Sequence, residues 1–356
     1  MVETADVVII GGGIAGVSAG WFLADRGLTV HLLEAEATLA HHTTGRSAAQ
    51  YLETYGNDVV RRLTVASRSF FADPPAELVD GPLWSPRPMM RVGGTAHVAR
   101  LRTEAEAARA LAPSTSFVDT AGALELCSAL RPDMVAGAVL EPEAMELDVA
   151  GINQAFVRGI RRRDGTISTR CPVIGLERAD TGWKVAVNAA GAWCDRVASM
   201  AGLDGVGLRP LRRTVAIVAV HEDFDTSAWP LVAFEADDGS MEGYFKPEPG
   251  GLLVSPADET PSEPCDARPE ELDVALGLDV VSRWTTLELR HVRSSWAGLR
   301  SFVADRTFVV GSAPDGDGFF WLAGQGGYGI QTAPGLGRAV AGLVVDGRLP
   351  ADLATH

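Results

Sequence analysis

Six residues near the start of the chain constrain its fold more than any others: Gly11-Gly12-Gly13-Ile14-Ala15-Gly16, a G-x-G-x-x-G match. They follow a short apolar run, Asp6-Val7-Val8-Ile9-Ile10, that fits a buried parallel strand. A helical pattern runs from Ile14 to Arg26 and ends at Gly27. A second strand, Leu28–Leu33, stops at Glu34. Each part answers a physical demand. Gly11 permits the sharp turn, Gly13 lets the backbone approach a pyrophosphate, and Gly16 lets the helix lie close to the sheet. The helix start at Ile14 and Ala15 offers free N–H groups and a positive dipole to phosphates. Glu34 can accept hydrogen bonds from ribose hydroxyls. The order of the parts points to dinucleotide binding. A glycine-rich turn in another α/β fold is the competing reading, and the motif alone does not separate FAD from NAD.

The 356 residues allow one large or two ordinary domains, at about 100–200 residues each. Hydrophobic residues make up 46%, enough to bury a sizeable core. The formal net charge of −15 repels nucleic acid and anionic membrane surfaces, so neither is an expected partner. The four cysteines form no CxxC pair, so no disulfide or metal framework is visible and a reducing compartment fits. Met1–Asp6 lacks the basic region of a signal peptide. No stretch reaches ~18 apolar residues without a charge, so no membrane insertion is expected. The expectation is a soluble, cytoplasmic protein.

After the second strand, His41-His42-Thr43-Thr44-Gly45-Arg46-Ser47-Ala48-Ala49-Gln50-Tyr51 is small and polar and reads as a loop or helix start. A plain NAD enzyme would place another helix here. Arg46 and Ser47 suit cofactor phosphate or flavin groups, against the alternative of an ordinary surface loop. The two histidines are not read as a metal site. Adjacent side chains rarely converge on one ion, and no carboxylate or cysteine cluster accompanies them.

Late in the chain, Thr307–Gly311 and Phe319–Ala323 read as strands. Gly324-Gln325-Gly326-Gly327-Tyr328-Gly329 then leads into a helix from about Ile330 to Val345. Glycines there let a backbone lie against a flat ring. The helix N-terminus can stabilise negative charge on the pyrimidine side of a reduced flavin. A second phosphate loop is the alternative. The central run Val187–Trp193 is also small, and reads as the return of the chain to the dinucleotide-binding part.

Together these segments resemble the D-amino-acid oxidase superfamily of flavoenzymes, most nearly the bacterial FAD-dependent D-arginine dehydrogenases. The specific stretches are Thr44–Ala49, Ser85–Pro88, Asn188–Asp195, Trp296–Asp305 and Gln325–Thr332. The resemblance implies an α/β fold, in which a Rossmann-type FAD-binding domain is interleaved with an α+β substrate domain on a mixed sheet. The FAD-binding domain would take residues 1–84, 146–208 and 299–356, and the substrate domain 85–145 and 209–298. FAD would be non-covalent, because Gly311-Ser312-Ala313-Pro314 lacks the cysteine to which sarcosine oxidases attach it. Besides the glycines, Ile14, Ala15, Glu34, Arg46 and Ser47, the implied cofactor contacts are Ala48, Ala190, Gly191, Trp193, Gly298, Gly327, Tyr328, Gly329 and Ile330.

The resemblance also implies a substrate site. Arg213 and Arg300 would grip a carboxylate, a task that suits guanidinium forks. Arg212 is the rival for the first role. Tyr55 and Tyr244 match two pocket tyrosines, with a core aromatic as the bland reading of each, and the Gly326 carbonyl would receive the substrate amine. Two positions depart from the pattern. Met89 stands where the family has the acid that pairs with an arginine side chain, and methionine is apolar and soft. Gln50 stands where the family has a histidine, and it does not titrate. The implied reaction is oxidation of a D-amino acid, with hydride transfer from Cα to flavin N5. The imino acid then hydrolyses to a 2-oxo acid and ammonia. Met89 turns the expected preference toward apolar or neutral side chains, because a buried unpaired cation costs several kcal/mol. The electron acceptor, whether quinone, dye or oxygen, is open. The alternatives are a sarcosine- or glycine-oxidase-like amine oxidase and a flavin-binding protein without turnover. Finally, only Lys184–Val187 stand between Trp183 and Asn188, where the family has a longer hairpin. Either the protein has a shortened edge there or residues are missing from the sequence; the second is the expectation, and a mass measurement of the protein checks it.

Overall fold

The computed structural model describes residues 4–177 and 185–354. Its strands in chain order are β1 (Val7–Ile10), β2 (Val30–Leu33), β3 (Gln50–Tyr51), β4 (Trp84–Pro86), β5 (Met89–Gly93), β6 (Ser116–Asp119), β7 (Gly137–Glu141), β8 (Met145–Leu147), β9 (Thr166–Ser168), β10 (Ala186–Asn188), β11 (Arg209–Val218), β12 (Leu231–Glu235), β13 (Met241–Glu248), β14 (Gly251–Ser255), β15 (Thr260–Pro261), β16 (Val292–Phe302), β17 (Val309–Ala313) and β18 (Gly316–Ala323).

The short apolar strands at the N-terminus have one face buried and the other buried or half-buried, as suits parallel strands covered by helices. β9, β2, β1, β10 and β18 run parallel in a six-stranded sheet, and β17 closes its edge antiparallel to β18. The helix Ile14–Asp25 packs against the helices Val149–Arg162 and Gly329–Asp346. Their shared core includes Ile9, Val17, Leu23, Leu32, Phe156 and Leu322. Each such side chain contributes roughly 1.5–3 kcal/mol by leaving water. Local signals reinforce these helices. The Asp148 side chain accepts from Gly151 N–H at 2.9 Å, and Arg161 and Arg162 sit in the last turn of the same helix.

The second sheet has nine strands in the order β15-β11-β14-β13-β12-β5-β7-β6, with β16 paired to the other side of β11. It is mixed, since β12 and β5 are parallel while the other pairs are antiparallel. The helix Glu271–Trp284 covers one face. A small antiparallel sheet, β3-β8-β4, ties the segment after Ala49 to the end of the mixed sheet. The α/β fold with a mixed sheet is as the sequence implies.

We propose that each large sheet frames one of two interleaved domains. β16 runs past the boundary expected after residue 298, because its pairing with β11 continues from Val292 to Phe302. The hairpin expected between Trp183 and Asn188 falls partly outside the described residues, which resume at 185. No helix among the described residues is long and apolar enough to cross a membrane.

Candidate active site

One cavity, with about 1450 Å³ of empty space including its open mouth, lies between the two large sheets. It begins at Gly13, Ile14 and Ala15 and ends at Arg213, Tyr244 and Met89.

At the first end the expected turn is present. Gly11 has φ 109°, and a Cβ there would lie 2.5 Å from the Ala189 carbonyl oxygen, so no other residue fits. Gly12 N–H donates to Glu34 Oε2 at 2.7 Å, and Glu36 N–H donates to Glu34 Oε1 at 2.8 Å. Each carboxylate oxygen keeps a lone pair for a ribose hydroxyl. The Thr44 hydroxyl, which the sequence reading did not single out, accepts from Ile14 N–H at 3.0 Å. No spacing rule links Thr44 to a helix start thirty residues earlier.

A second helix start, at Gly327, Gly329 and Ile330, lines the same cavity. Neither helix is closed by the side chain of its own N-cap residue, and neither has an acid in its first turn. The Gln325 Nε2 donor is buried without a partner at the cavity wall. Two helix N-termini and an unused donor suit the diphosphate and polar ring edge of FAD.

Not every expected cofactor residue is placed for contact. Arg46 lines the cavity, but its guanidinium is spent on the Ala267 and Ala297 carbonyls, at 2.8 and 2.9 Å, and on Asp266. It clamps its loop to β16 instead of reaching for a phosphate. Ser47 Oγ donates to the Thr43 carbonyl at 2.9 Å. Trp193 lies outside the cavity, against His42 at 4.7 Å between ring centroids. Tyr328 turns away too. Its hydroxyl donates to the Arg306 carbonyl at 3.0 Å, and its ring is buried against Tyr55, Phe302 and Phe308. Ala48, Gly191 and Gly298 line the cavity, whereas Gly11, Gly16, Glu34 and Ala190 are not among its lining residues.

At the other end the register of β11 and β16 decides the arginines. Leu211 pairs with Arg300 and Arg213 with Gly298. Alternation therefore puts Arg213 and Arg300 on one face as diagonal neighbours. Arg212 faces the other way, toward Glu270 and, at 2.9 Å, Asp273, so it is not a rival for the pocket. Arg213 Nε donates to the Asp258 carbonyl at 2.7 Å, and Glu259 lies 3.5 Å from Nη2. Burial, and then Arg300 nearby, push the Arg213 guanidinium below its usual range. Burial also acts against charge on Arg300, but the surrounding Tyr55, Tyr244 and Glu259 outweigh it and hold Arg300 above its usual range.

Among the described residues the Arg300 guanidinium and the Tyr55 and Tyr244 hydroxyls have no hydrogen-bond partner, and all three residues line the cavity. Gly327 makes room for two of them, since a Cβ there would lie 3.0 Å from Arg300 Nη1 and 3.1 Å from Tyr55 Oη. Unused polar groups converging in a cavity are arranged for a ligand rather than for the fold.

Met89, Leu231, Met241, Val215 and the Tyr244 ring form an apolar wall. Only Met89 and Tyr244 of these were singled out from sequence. Val215 was available by period-two reasoning from Arg213, whereas Leu231 arrives by long-range strand pairing and Met241 beside a β-bulge in the β12–β13 hairpin. Gln50 Nε2 donates to the Arg87 carbonyl at 2.7 Å, leaving Oε1 buried and unpaired at the cavity. Gly326 also lines it.

Directly across from Met89 on β7 is buried Glu141. Its carboxylate accepts from Glu53 N–H at 3.0 Å and from the Thr54 hydroxyl at 2.5 Å, holding the segment that carries Tyr55. Burial raises its pKa despite those bonds. The folded protein thus binds this proton more tightly than the unfolded chain. The stability involved is complete below the usual glutamate range and is lost as pH rises through the folded value. Glu141→Gln is expected to flatten that fall in Tm. Parallel Tm–pH profiles for the two proteins would show that Glu141 does not titrate there.

Residues 6–343 match the family model DAO, FAD dependent oxidoreductase. Over 202 residues the chain is 30% identical to FAD-dependent oxidoreductase domain-containing protein 1 of Xenopus laevis, covering 52% of this chain and 39% of that protein. It is 22% identical over 396 residues to the mitochondrial sarcosine dehydrogenase of Homo sapiens, covering 99% of this chain and 41% of that protein. The chain thus spans about two fifths of the length of these curated relatives. Similar solved structures include L-proline dehydrogenase from P. horikoshii, with TM-score 0.85, 19% identity and coverage of 98% and 95% of the two chains. Glycine oxidase from Geobacillus kaustophilus gives TM-score 0.83, 21% identity and coverage of 98% and 96%. The chain belongs to the DAO family of FAD-dependent oxidoreductases.

Proposed function

We propose that this enzyme oxidises the Cα–N bond of free D-amino acids with apolar or neutral side chains, as a relative of the D-arginine dehydrogenases with an altered pocket. One observation carries the reading: a same-face arginine pair opposes an apolar wall in a single cavity. Bound FAD supplies the two-electron acceptor at this site. The chain supplies position. Arg213 and Arg300 hold the carboxylate, Tyr55 and Tyr244 offer hydrogen bonds beside it, and the Gly326 carbonyl receives the amine. Met89, Leu231 and Met241 take the side chain and exclude water. Orientation of this kind accounts for much of the rate when the chemistry belongs to a cofactor.

Two carboxylates stand opposite wall residues, Glu141 across from Met89 and Glu235 across from Met241; the first is engaged by Glu53 and Thr54 and the second by Arg91 and Arg100, so a cationic side chain gains no free partner there. A sarcosine- or glycine-type substrate would leave the wall without contacts. The test is anaerobic flavin bleaching with a panel of D- and L-amino acids and N-methyl amines. D-Met, D-Leu and D-Phe are expected to bleach fastest. Faster bleaching by D-Arg, an L-amino acid or sarcosine overturns the substrate class, and no bleaching at all returns the protein to a binding role.

A further inference from the structure

We propose that Glu36, His41 and His42 form a site for one divalent transition-metal ion beside the cofactor-binding segment. Neighbouring histidines ordinarily diverge, and no carboxylate stands next to this pair in sequence. The fold alters both conditions. Ala40, just before the pair, has φ 57°, in the left-handed region. Its N–H donates to the Gly12 carbonyl at 3.1 Å and its carbonyl accepts from Gly45 N–H at 2.9 Å, so the turn is fixed from both sides. The His41 and His42 rings then sit 4.8 Å apart between centroids, at 88°. The same turn brings Glu36 into range, with Oε1 3.0 Å from His42 Nε2. One ligand atom from each of the three residues lies within 4.8 Å of the others.

Zinc takes nitrogen and oxygen ligands at about 2.0–2.2 Å in a tetrahedron, which places ligand atoms about 3.4 Å from one another. The Glu36–His42 separation is already close to that. His41 is exposed, so its ring can rotate to complete the set at little cost. The outer arrangement fits as well. His42 Nδ1 is buried without a hydrogen-bond partner and lies 3.9 Å from Asp266 Oδ1. Without an ion, Nε2 donates to the Glu36 carboxylate; an ion taking both atoms would move the ring proton to Nδ1, on the side where Asp266 stands to receive it. Two imidazoles and one carboxylate select zinc, cobalt, nickel or copper over magnesium or calcium.

The ion would connect two places that matter for the cofactor end of the cavity. Glu36 follows Glu34 by two residues and donates its N–H to that carboxylate. His42 precedes Thr44 by two residues, and the Thr44 hydroxyl accepts from the first residue of the helix Ile14–Asp25. Metal binding therefore closes the segment between them and stabilises the folded holoenzyme by mass action.

The experiment is calorimetric titration of chelator-treated holoenzyme with Zn²⁺, paired with thermal melts. The expected result is one equivalent bound, a higher Tm with Zn²⁺, and at least about tenfold weaker binding in His41→Ala and in Glu36→Gln. His41 is exposed, so its variant tests the ligand without disturbing the core. Mg²⁺ should give neither heat nor shift. No stoichiometric uptake, equal uptake by wild type and both variants, or equal binding of Mg²⁺ overturns the proposal and leaves His42 and Glu36 as an ion pair only.

Discussion

Replacing Arg300 with methionine is expected to lower kcat/KM for a neutral D-amino acid about a thousandfold with little change in Tm or flavin content. The loss follows from truncating one half of a charge-assisted contact with a carboxylate, which costs about 4 kcal/mol in a desolvated site, and 1.36 kcal/mol is tenfold in rate. The small effect on Tm follows from the ligand-free protein. There Arg300 is held among Tyr55, Tyr244 and Gly327 with no hydrogen-bond or ion-pair partner among the described residues. Burial opposes that charge while the surrounding Tyr55, Tyr244 and Glu259 favour it, so the two largely offset, and methionine fills similar length. Arg213 differs, because it also satisfies the Asp258 carbonyl, and its loss should cost stability as well as binding. Steady-state kinetics, flavin absorbance and a melt of Arg300→Met settle the matter. A kcat/KM within about tenfold of wild type would remove Arg300 from the substrate site.

Met89→Glu is expected to raise the ratio of kcat/KM for D-Arg to that for D-Met by about a hundredfold or more. A paired guanidinium in a partly buried site is worth several kcal/mol relative to an unpaired one, and the same carboxylate should weaken binding of an apolar side chain. The new acid would not sit alone. Glu141 is its cross-strand neighbour, and burial already raises the Glu141 pKa. Cβ atoms of such a pair are about 4.5–5.5 Å apart, so two carboxylates there compete for one negative charge. The gain for D-Arg should therefore grow with pH. Competition assays with D-Arg and D-Met across pH measure it. An unchanged ratio would mean that Met89 does not touch the substrate side chain.

What could be read from the sequence was what depends on neighbours along the chain. The turn at Gly11, the helix after it and the late glycine-led helix are local devices, and the structure contains them. The choice between Arg212 and Arg213 needed the β11–β16 register, which adjacent residues do not encode. Leu231 escaped notice for the same reason, since the pairing of β12 with β5 sets it beside Met89, and Met241 because a β-bulge in the β12–β13 pairing breaks the alternation that would turn it away from Tyr244. Arg46 misled for a different one. A cation in a cofactor loop looks available until its carbonyl partners, Ala267 and Ala297, are placed by strands more than two hundred residues away. The carboxylate beside the histidine pair was missed because a left-handed residue at Ala40 reverses the chain, and nothing about alanine announces that.

The mixed sheet keeps its two arginines apart from Met89 and Leu231. The arginines stand on β11 and β16, while Met89 and Leu231 stand on β5 and β12, with β14 and β13 between the two pairs. Substitutions at the second pair can be sampled one at a time without shifting the register of the first. Under the proposed function, such a layout would let side-chain preference change while the arginine pair stays in place. Diversification on this scaffold is then a matter of repainting one end of a sheet.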